Sequence, residues 1–246
     1  MKEGVMRLSN VKYKRILLKI SGEALAGDAH RGLDFSVINS VCDVIKECRD
    51  LGTQIGLVVG GGNFWRGIKD GADRMERSRA DSMGMLATVM NCLAVADVLE
   101  KQGVEARVLT AVELPKFAEY FTRDRANQYL NEGKVVIFGC GTGNPYFSTD
   151  TGAVLRGAEI GADAVLMAKN IDGIYSADPH LDPTATKFDE LTYSEVLARR
   201  LKATDSTAMT LAMDNHMTLV CFALKDPKNI LRVVQGEKIG TTVKED

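Results

Sequence analysis

The chain alternates short apolar runs with longer segments of helical periodicity, and this alternation constrains its fold more than any other feature. Each apolar run is rich in Val, Ile or Leu and ends near Gly, Asn or Thr, which is typical of buried parallel strands. We predict six such strands, at Arg15–Ile20, Ile55–Val59, Ala106–Leu109, Val135–Phe138, Ala164–Met167 and Thr218–Phe222.

Helical patterns separate these strands. Apolar residues recur at spacings of three and four between Asp34 and Leu51, and again from Met83 to Val98. We interpret the methionines of the second helix as core residues, although its apolar face is also compatible with a subunit interface. The alternation predicts an α/β fold with a parallel sheet covered on both faces, in which ligands bind beyond the carboxyl ends of the strands.

Length and charge exclude several classes of protein. The chain has 246 residues and no linker, so we expect one large domain in which Asp172–Leu191 is a functional loop. Lysine plus arginine (31) nearly balance aspartate plus glutamate (33), which argues against a protein that coats nucleic acids or membranes. Met1–Tyr13 lacks the apolar stretch of a secretory signal, and no apolar run is expected to approach a membrane span.

The cysteines and histidines do not suggest redox or zinc chemistry. Five cysteines are present, and no two are spaced as CxxC. His30, His180 and His216 have no recognisable catalytic context. We therefore expect structural thiols in a reducing, cytoplasmic environment, with neither a nucleophilic cysteine nor a zinc site.

Glycine-containing loops follow the first two strands. Lys19 lies near the end of the first strand and precedes Ser21-Gly22, so an ammonium group and backbone N–H groups lie side by side. The second strand runs into Gly60-Gly61-Gly62 and then Arg66, whose guanidinium can clamp a phosphate. Because neither GxxxxGK[ST] nor a GxGxxG after a strand occurs, these loops point to a phosphate-binding scheme other than the P-loop or the dinucleotide fold.

The loops after the fourth and fifth strands add hydroxyl, amide and carboxylate groups. Gly139–Asp150 can hydrogen-bond a phosphate and a base edge, and Asp150 either caps the following helix or belongs to the site. Lys169–Pro179 contains Tyr175, which can lie against a base, and Asp178, which can orient a lysine or Mg²⁺. The four loops offer cations, backbone donors and carboxylates but no evident general base or nucleophile. Phosphoryl transfer needs this set of groups, because it depends mainly on positioning and on stabilising charge in the transition state.

At these loops the sequence resembles the bacterial uridylate (UMP) kinases of the amino-acid-kinase superfamily. The matching motifs keep the family's order over more than nine-tenths of the chain: KISGEAL (19–25), GGGNFWRG (60–67), ADSMGMLATVMN (80–91), GTGNPYFSTD (141–150), DGIYSADP (172–179) and GEKIGT (236–241). The resemblance implies a three-layer α/β/α sandwich with a mainly parallel central sheet. It also implies transfer of a phosphoryl group from ATP to UMP with Mg²⁺, in a homohexamer.

The resemblance also assigns roles to individual residues. Lys19, Arg66, Asp150 and Asp178 are carried over as catalytic, and Asp205 is a further acidic position of the family. The implied UMP-binding residues are Gly61, Asp81 (on the ribose), Thr142, Gly143, Asn144, Pro145, Tyr146, Phe147, Ser148 and Thr149. The implied ATP-binding residues are Lys19, Ile20, Ser21, Gly22, Gly62, Arg66, Lys169, Tyr175 and Asp178, and no metal ligand is assigned.

The resemblance extends to domain organisation and regulation. Residues 1–12 are expected to form an N-terminal extension. Residues 13–246 are expected to form one domain that binds UMP mainly through its N-terminal part and ATP through its C-terminal part. Gly27–Gly32 occupies the place of a segment that the family links to activation by GTP, and its His30-Arg31 departs from the commoner Gly-Phe pattern.

Two alternatives remain open at the level of the sequence. One is another kinase of the same superfamily, acting on carbamate or acetylglutamate. The other is a storage or regulatory protein on the same fold that binds ATP without turning over UMP. An assay of ADP release across nucleoside monophosphates discriminates among all three.

Overall fold

A nine-stranded, mainly parallel sheet forms the centre of the computed structural model, which describes residues 11–66, 75–201 and 204–245. In chain order the strands are β1 (Arg15–Ile20), β2 (Gln54–Val59), β3 (Ala106–Thr110), β4 (Glu119–Tyr120), β5 (Val135–Gly139), β6 (Ala164–Lys169), β7 (Ile174–Tyr175), β8 (Lys187–Phe188), β9 (Glu190–Thr192), β10 (Leu219–Ala223) and β11 (Thr241–Lys244). The order across the sheet is β4-β3-β5-β2-β1-β6-β10-β11-β9, and β7 and β8 form a separate antiparallel pair. Within the sheet, β10 and β11 are antiparallel, and the other neighbouring strands run parallel.

Helices cover both faces of this sheet. They are α1 (Phe35–Asp50), α2 (Arg77–Lys101), α3 (Arg123–Asn131), α4 (Thr149–Glu159), α5 (Tyr193–Ala198), α6 (Ser206–Asp214) and α7 (Lys228–Val234), and a 3₁₀-helical segment spans Gly22–Ala29. One core lies between the sheet and α1, α2 and α7, and a second lies between the sheet and α3 to α6. The predicted three-layer α/β/α sandwich with a mainly parallel sheet is therefore confirmed.

The six strands predicted from apolar runs are present as β1, β2, β3, β5, β6 and β10, with boundaries shifted by at most two residues. The remaining strands are too short for their side chains to show a period. The segment Asp172–Leu191, predicted to be irregular, contains the β7–β8 hairpin and the start of β9. Residues 1–10 of the expected N-terminal extension, and Gly67 at the end of the second loop, lie outside the described residues.

The methionines of α2 are not core residues, in contrast to their interpretation from the sequence. Met83, Leu86, Met90 and Leu93 are between 38% and 53% exposed and form one apolar stripe along the helix, here called the α2 stripe. The buried side of the helix consists mainly of smaller residues such as Ala87 and Val95. Because α2 is apolar on both faces, periodicity could not identify the face that packs on the sheet.

Helix α2 also meets the length and composition criteria of a membrane span. Its most apolar window has a mean hydropathy of 1.6, although half of that window is buried inside the fold. Cys92, Val95 and Leu99 pack into the core beneath the sheet. It is therefore a core helix with one exposed apolar stripe, and the expectation that no apolar run approaches a membrane span needs correction here.

All five cysteines are buried and form no disulfide. Burial raises the pKa of Cys42 and of Cys48 to about 12. Thiols with such pKa values are almost fully protonated at neutral pH and are poor nucleophiles. Their packing agrees with the structural role that we predicted.

Candidate active site

Two lysines project from neighbouring strands near the centre of the sheet. Lys19 of β1 is in register with Met167 of β6, and Lys169 lies two residues beyond Met167. Side chains alternate between the faces of a strand, so both lysines are on the face that α4 covers. Each lysine lies at or next to the carboxyl end of its strand, which is where parallel sheets bind ligands.

Asp150 joins the two lysines from the first turn of α4. The Lys19 Nζ lies 2.7 Å from Asp150 Oδ1, and the Lys169 Nζ lies 2.9 Å from Asp150 Oδ2. The Thr204 hydroxyl donates a third hydrogen bond, to Oδ2, at 2.7 Å. We refer to Lys19, Asp150 and Lys169 as the lysine–aspartate cluster.

Electrostatics keep the carboxyl of this cluster ionised. Burial by itself would raise the pKa of Asp150. The two ammonium groups and the hydrogen bonds from Lys19 and Thr204 outweigh that effect and hold the pKa well below its usual range. The cluster thus combines two cations with one fixed anion and carries a net positive charge.

Ser148, and not Asp150, is the N-cap of α4. The Ser148 hydroxyl accepts a hydrogen bond from the Thr151 N–H at 3.1 Å, which leaves Asp150 available for the lysines. Asp205 caps α6 by accepting from the Ala208 N–H at 2.9 Å, and it also accepts from the hydroxyls of Ser148 and Thr151. Asp205 therefore ties the start of α4 to the start of α6.

The glycine-rich loop after β2 packs tightly against its neighbours. A Cβ on Gly22 would lie 2.2 Å from the Gly60 carbonyl oxygen, and one on Gly61 would lie 2.8 Å from the Gly84 oxygen in α2. Such distances exclude any side chain at either position. Arg66, at the end of this loop, forms an ion pair with Glu23 of the 3₁₀ segment.

Two buried asparagines hold this loop in place. Asn63 and Asn91 donate hydrogen bonds to each other's side-chain oxygens, at 3.0 and 2.8 Å. Asn63 also donates to the Gly32 carbonyl and Asn91 to the Gly60 carbonyl. The pair therefore connects α2, the glycine-rich loop and the Gly27–Gly32 segment.

The loop between β5 and α4 is strongly curled. Cys140, Gly141, Gly143 and Tyr146 all have positive φ, between 54° and 81°, a region that L side chains adopt with strain. The Tyr146 N–H donates a hydrogen bond to Asp81 Oδ2 at 2.8 Å. This contact connects the curled loop to the first turns of α2.

A cavity of about 390 Å³ lies between the glycine-rich loop, the curled loop and α2, and we call it the glycine-loop cavity. The predicted residues that line it are Gly61, Gly62, Arg66, Asp81, Thr142, Asn144, Tyr146, Phe147, Ser148 and Thr149. Gly143 and Pro145 belong to the same curled loop.

A second cavity, of about 530 Å³, lies between α5, α6 and the end of β6, and we call it the α5–α6 cavity. Asp150 and Lys169 line it together with Val196, Leu197 and Met209. Since Thr149 lines the glycine-loop cavity and Asp150 lines this one, the lysine–aspartate cluster lies where the two cavities approach each other.

Some residues implied by the resemblance have local contacts instead. The Ile20 side chain is fully buried in the core, so only its backbone can face a ligand. The Tyr175 hydroxyl donates to Asp172 at 2.7 Å, and the Asp178 carboxylate accepts from the His180 N–H in an exposed turn. A contribution of Tyr175 or Asp178 to ATP binding stays a prediction.

The glycine-loop cavity also contains residues that sequence reasoning missed. Trp65, Arg77, Gly84, Met85 and Thr88 line it. A glycine inside a helix was one available signal, because Gly84 is costly there unless something packs closely. Arg77 and the Thr204 hydroxyl on Asp150 had no signal, since neither lies in a loop that follows a predicted strand.

The side chains offer no ready-made metal site. In the part of the chain that the structure describes, no group of three or more His, Cys, Asp or Glu side chains could hold a metal ion. The carboxylate of Asp150 is paired with lysines, and that of Asp205 accepts from hydroxyls and a backbone N–H. The described residues therefore contain no preformed cage of three protein ligands, although a metal ion that binds through substrate phosphates needs only one or two carboxylates.

Comparisons with known proteins agree with this architecture. The sequence matches the amino acid kinase family over residues 14–225. The structure is similar to UMP kinase from Bacillus anthracis, with 34% identity over 95% of this chain and 97% of that one and a TM-score of 0.90. It is similar to UMP kinase from Ureaplasma parvum, with 35% identity, coverage of 94% and 99% and a TM-score of 0.89. Uridylate kinase from Archaeoglobus fulgidus is more distant, with 26% identity, coverage of 93% and 99% and a TM-score of 0.72.

Proposed function

The chain belongs to the amino acid kinase family, and we propose that it is a UMP kinase that converts ATP and UMP into ADP and UDP. The observation that carries this proposal is the lysine–aspartate cluster between two cavities, one on each side of Thr149-Asp150. Two similar structures, at 34% and 35% identity over nearly their whole length, are UMP kinases.

UMP is the proposed ligand of the glycine-loop cavity. The volume of this cavity, about 390 Å³, lies within the range of small-molecule sites. Backbone N–H groups of Gly61 and Gly62, with Arg66, would bind the phosphate, since exposed amides and a guanidinium suit an anion. The Asp81 carboxylate would accept from ribose hydroxyls. The curled loop from Thr142 to Thr149 would bind the uracil edge through amide and hydroxyl groups.

ATP is the proposed ligand on the other side of the cluster. Val196, Leu197 and Met209 give the α5–α6 cavity an apolar wall suited to the adenine, and Lys169 lies at its inner end. The triphosphate would extend from there past Lys19 to Ser21 and Gly22. This arrangement brings the γ-phosphoryl group to the point where the two cavities approach each other.

The transfer itself requires few protein groups. The attacking atom is a phosphate oxygen of UMP, and because the second pKa of a phosphate monoester is near 6 it is already an anion at neutral pH. No general base is therefore required. Lys19 would stabilise the charge on the transferring phosphoryl group and Lys169 that on the phosphates of ATP, while Asp150 holds both ammonium groups in position. We expect direct in-line transfer without a phosphoenzyme.

Mg²⁺ is proposed to arrive with ATP. The ion typically keeps several waters and is bound by substrate phosphates together with one or two protein carboxylates. When bound, it would neutralise part of the phosphate charge.

Substrate specificity is the first test. Purified protein with Mg-ATP should release ADP with UMP at least about tenfold faster than with CMP or dUMP, a difference of roughly 1.4 kcal/mol in transition-state binding. It should show no turnover of acetylglutamate or carbamate. Equal rates with UMP and CMP would remove the uridylate assignment. ATP binding without ADP release would favour a nucleotide-binding storage or regulatory protein.

A homohexamer is the proposed quaternary structure, and the α2 stripe is its proposed contact surface. Phe117, 64% exposed, extends the apolar surface beside Leu93, with which it lines a shared hollow. A contiguous exposed apolar surface of this kind marks an interaction site more often than isolated apolar residues do.

Charge on this stripe should dissociate the assembly. The double substitution Leu86→Glu, Met90→Glu is expected to lower the mass measured by light scattering from that of a hexamer to that of a smaller assembly. The reason is that a buried glutamate costs several kcal/mol. Leu181→Glu, on an exposed loop, is the control and should leave the mass unchanged. A wild-type monomer, or a double variant of unchanged mass, would contradict the proposal.

Location and regulation follow as proposals from the resemblance. We place the enzyme in the cytoplasm and in pyrimidine nucleotide synthesis, where UDP is needed. The segment that the family links to GTP, Gly27–Gly32, exchanges hydrogen bonds with Asn63 of the glycine-rich loop. The Gly32 N–H donates to the Asn63 carbonyl at 3.1 Å, and the Asn63 side chain donates to the Gly32 carbonyl.

A further inference from the structure

Arg77, the first residue of α2, lines the glycine-loop cavity and contacts two of its residues. Its Nε donates a hydrogen bond to Asp81 Oδ2 at 2.8 Å, one helical turn away. Its guanidinium carbon lies 5.2 Å from the centroid of the Tyr146 ring, within cation–π distance. One arginine therefore bridges the helix and the curled loop.

A third contact closes the arrangement into a ring. The Tyr146 N–H donates to the same Asp81 Oδ2, at 2.8 Å. Tyr146 has a φ of 71°, and a non-glycine residue there costs roughly 1–2 kcal/mol, so this loop conformation needs support from its neighbours. Arg77 supports this conformation by its cation–π contact with the Tyr146 ring, and Asp81 supports it by accepting a hydrogen bond from the Tyr146 backbone N–H.

Resting on the proposed UMP kinase function, we infer that Arg77 is a positioning residue for UMP, which acts by holding Asp81 and Tyr146 in their binding conformation. Two donors on Oδ2 fix the plane of the Asp81 carboxylate and direct its other oxygen to a ribose hydroxyl. Lysine could replace arginine only in part, because a planar guanidinium can donate from Nε while its face stacks on a ring, and a single ammonium group cannot do both in this geometry.

Steady-state kinetics of Arg77→Ala, Arg77→Lys, Asp81→Asn and the double variant Arg77→Ala, Asp81→Asn test this inference. We expect Arg77→Ala to raise the KM for UMP roughly tenfold, as for loss of a hydrogen bond to a charged group, and to change the KM for ATP less than about twofold. Arg77→Lys should recover only part of the loss. The double variant should lose less than the sum of the two single losses, because Arg77 acts in part through Asp81.

Lys101→Ala is the matched control. Lys101 pairs with Asp97 at the far end of the same helix, with the same spacing of four residues, and its loss should leave both KM values unchanged. A merely structural role for Arg77 would lower the melting temperature and shift both KM values together, which would overturn the inference. Additive losses in the double variant would do the same, since Arg77 would then bind UMP independently of Asp81.

The inference and the function on which it rests fail in different ways. Wild-type protein that produces no UDP refutes the proposed function and the role of Arg77 with it. Wild-type protein that is active on UMP, together with an Arg77→Ala variant of unchanged KM for UMP, refutes the role of Arg77 alone.

Discussion

Lys19→Met is expected to lower the kcat for UDP formation by about 10²- to 10³-fold, the loss typical of removing one preorganised donor to a charged transition state. Lys19 is only 9% exposed, so water cannot replace its ammonium group in the site. Methionine keeps most of the apolar stem and therefore isolates the loss of charge from a loss of packing. Asp150 keeps Lys169 as a partner in this variant.

The measurement is the rate of ADP release at saturating ATP and UMP. Lys244→Met is the control, because Lys244 forms an exposed ion pair with Glu190 at one edge of the sheet, and its loss should not affect the rate. A Lys19→Met variant with near-wild-type kcat would show that another group stabilises the transferring phosphoryl.

Asp150→Asn should separate turnover from ATP binding. Without the carboxylate, the two ammonium groups lose the anion that fixes their positions, so we expect kcat to fall at least about 100-fold. The affinity for ATP should not fall, because both lysines then meet the triphosphate without a competing anion. Loss of one member of a buried ionic cluster should also lower the free energy of unfolding of the nucleotide-free protein by about 3 kcal/mol.

The stability loss should depend on pH in a defined direction. The folded-state pKa of Asp150 is below its unfolded value, so the ionised carboxylate contributes stability above roughly pH 4 and loses that contribution as the pH falls through its folded pKa. The difference in unfolding free energy between wild type and Asp150→Asn, measured with urea, should be largest at neutral pH and shrink in acid.

Glu190→Gln serves as the control for Asp150→Asn. It removes an exposed carboxylate from an ion pair and should change the stability by less than about 1 kcal/mol. Two results would contradict the role of Asp150 as the anion that holds both lysines. One is a wild-type kcat in Asp150→Asn, and the other is a loss of ATP affinity as large as the loss of kcat.

The central strands were predictable because nearly all of their residues are buried and apolar, a pattern that is visible within each short segment of the sequence. β1, β5 and β6 are buried along nearly their whole length and consist mainly of apolar residues, apart from Arg15, Lys19 and Lys169. Such runs can be identified without knowing which distant residues pack against them. The stripe of α2 was misassigned for the opposite reason, since both faces of that helix are apolar. The face that packs on the sheet is then decided by side-chain size in three dimensions.

The loops of the site were predictable, but the contacts between them were not. Glycines that follow β1, β2 and β5 marked three of the loops, and the family motifs marked Asp81 and Asp150. Nothing in the sequence indicated that Thr204, 54 residues away, donates to Asp150, or that Arg77 bridges Asp81 and Tyr146. Such contacts arise only when strands and helices distant in the chain pack together.

The most direct test of this account follows the phosphoryl group itself. Protein incubated with Mg²⁺, UMP and ATP labelled in the γ-phosphoryl group should yield label in the β-phosphoryl group of UDP. No label should remain on the protein after denaturation, because the transfer is direct. Label recovered as inorganic phosphate, on the protein, or only in unreacted ATP would contradict the proposed UMP kinase and its mechanism.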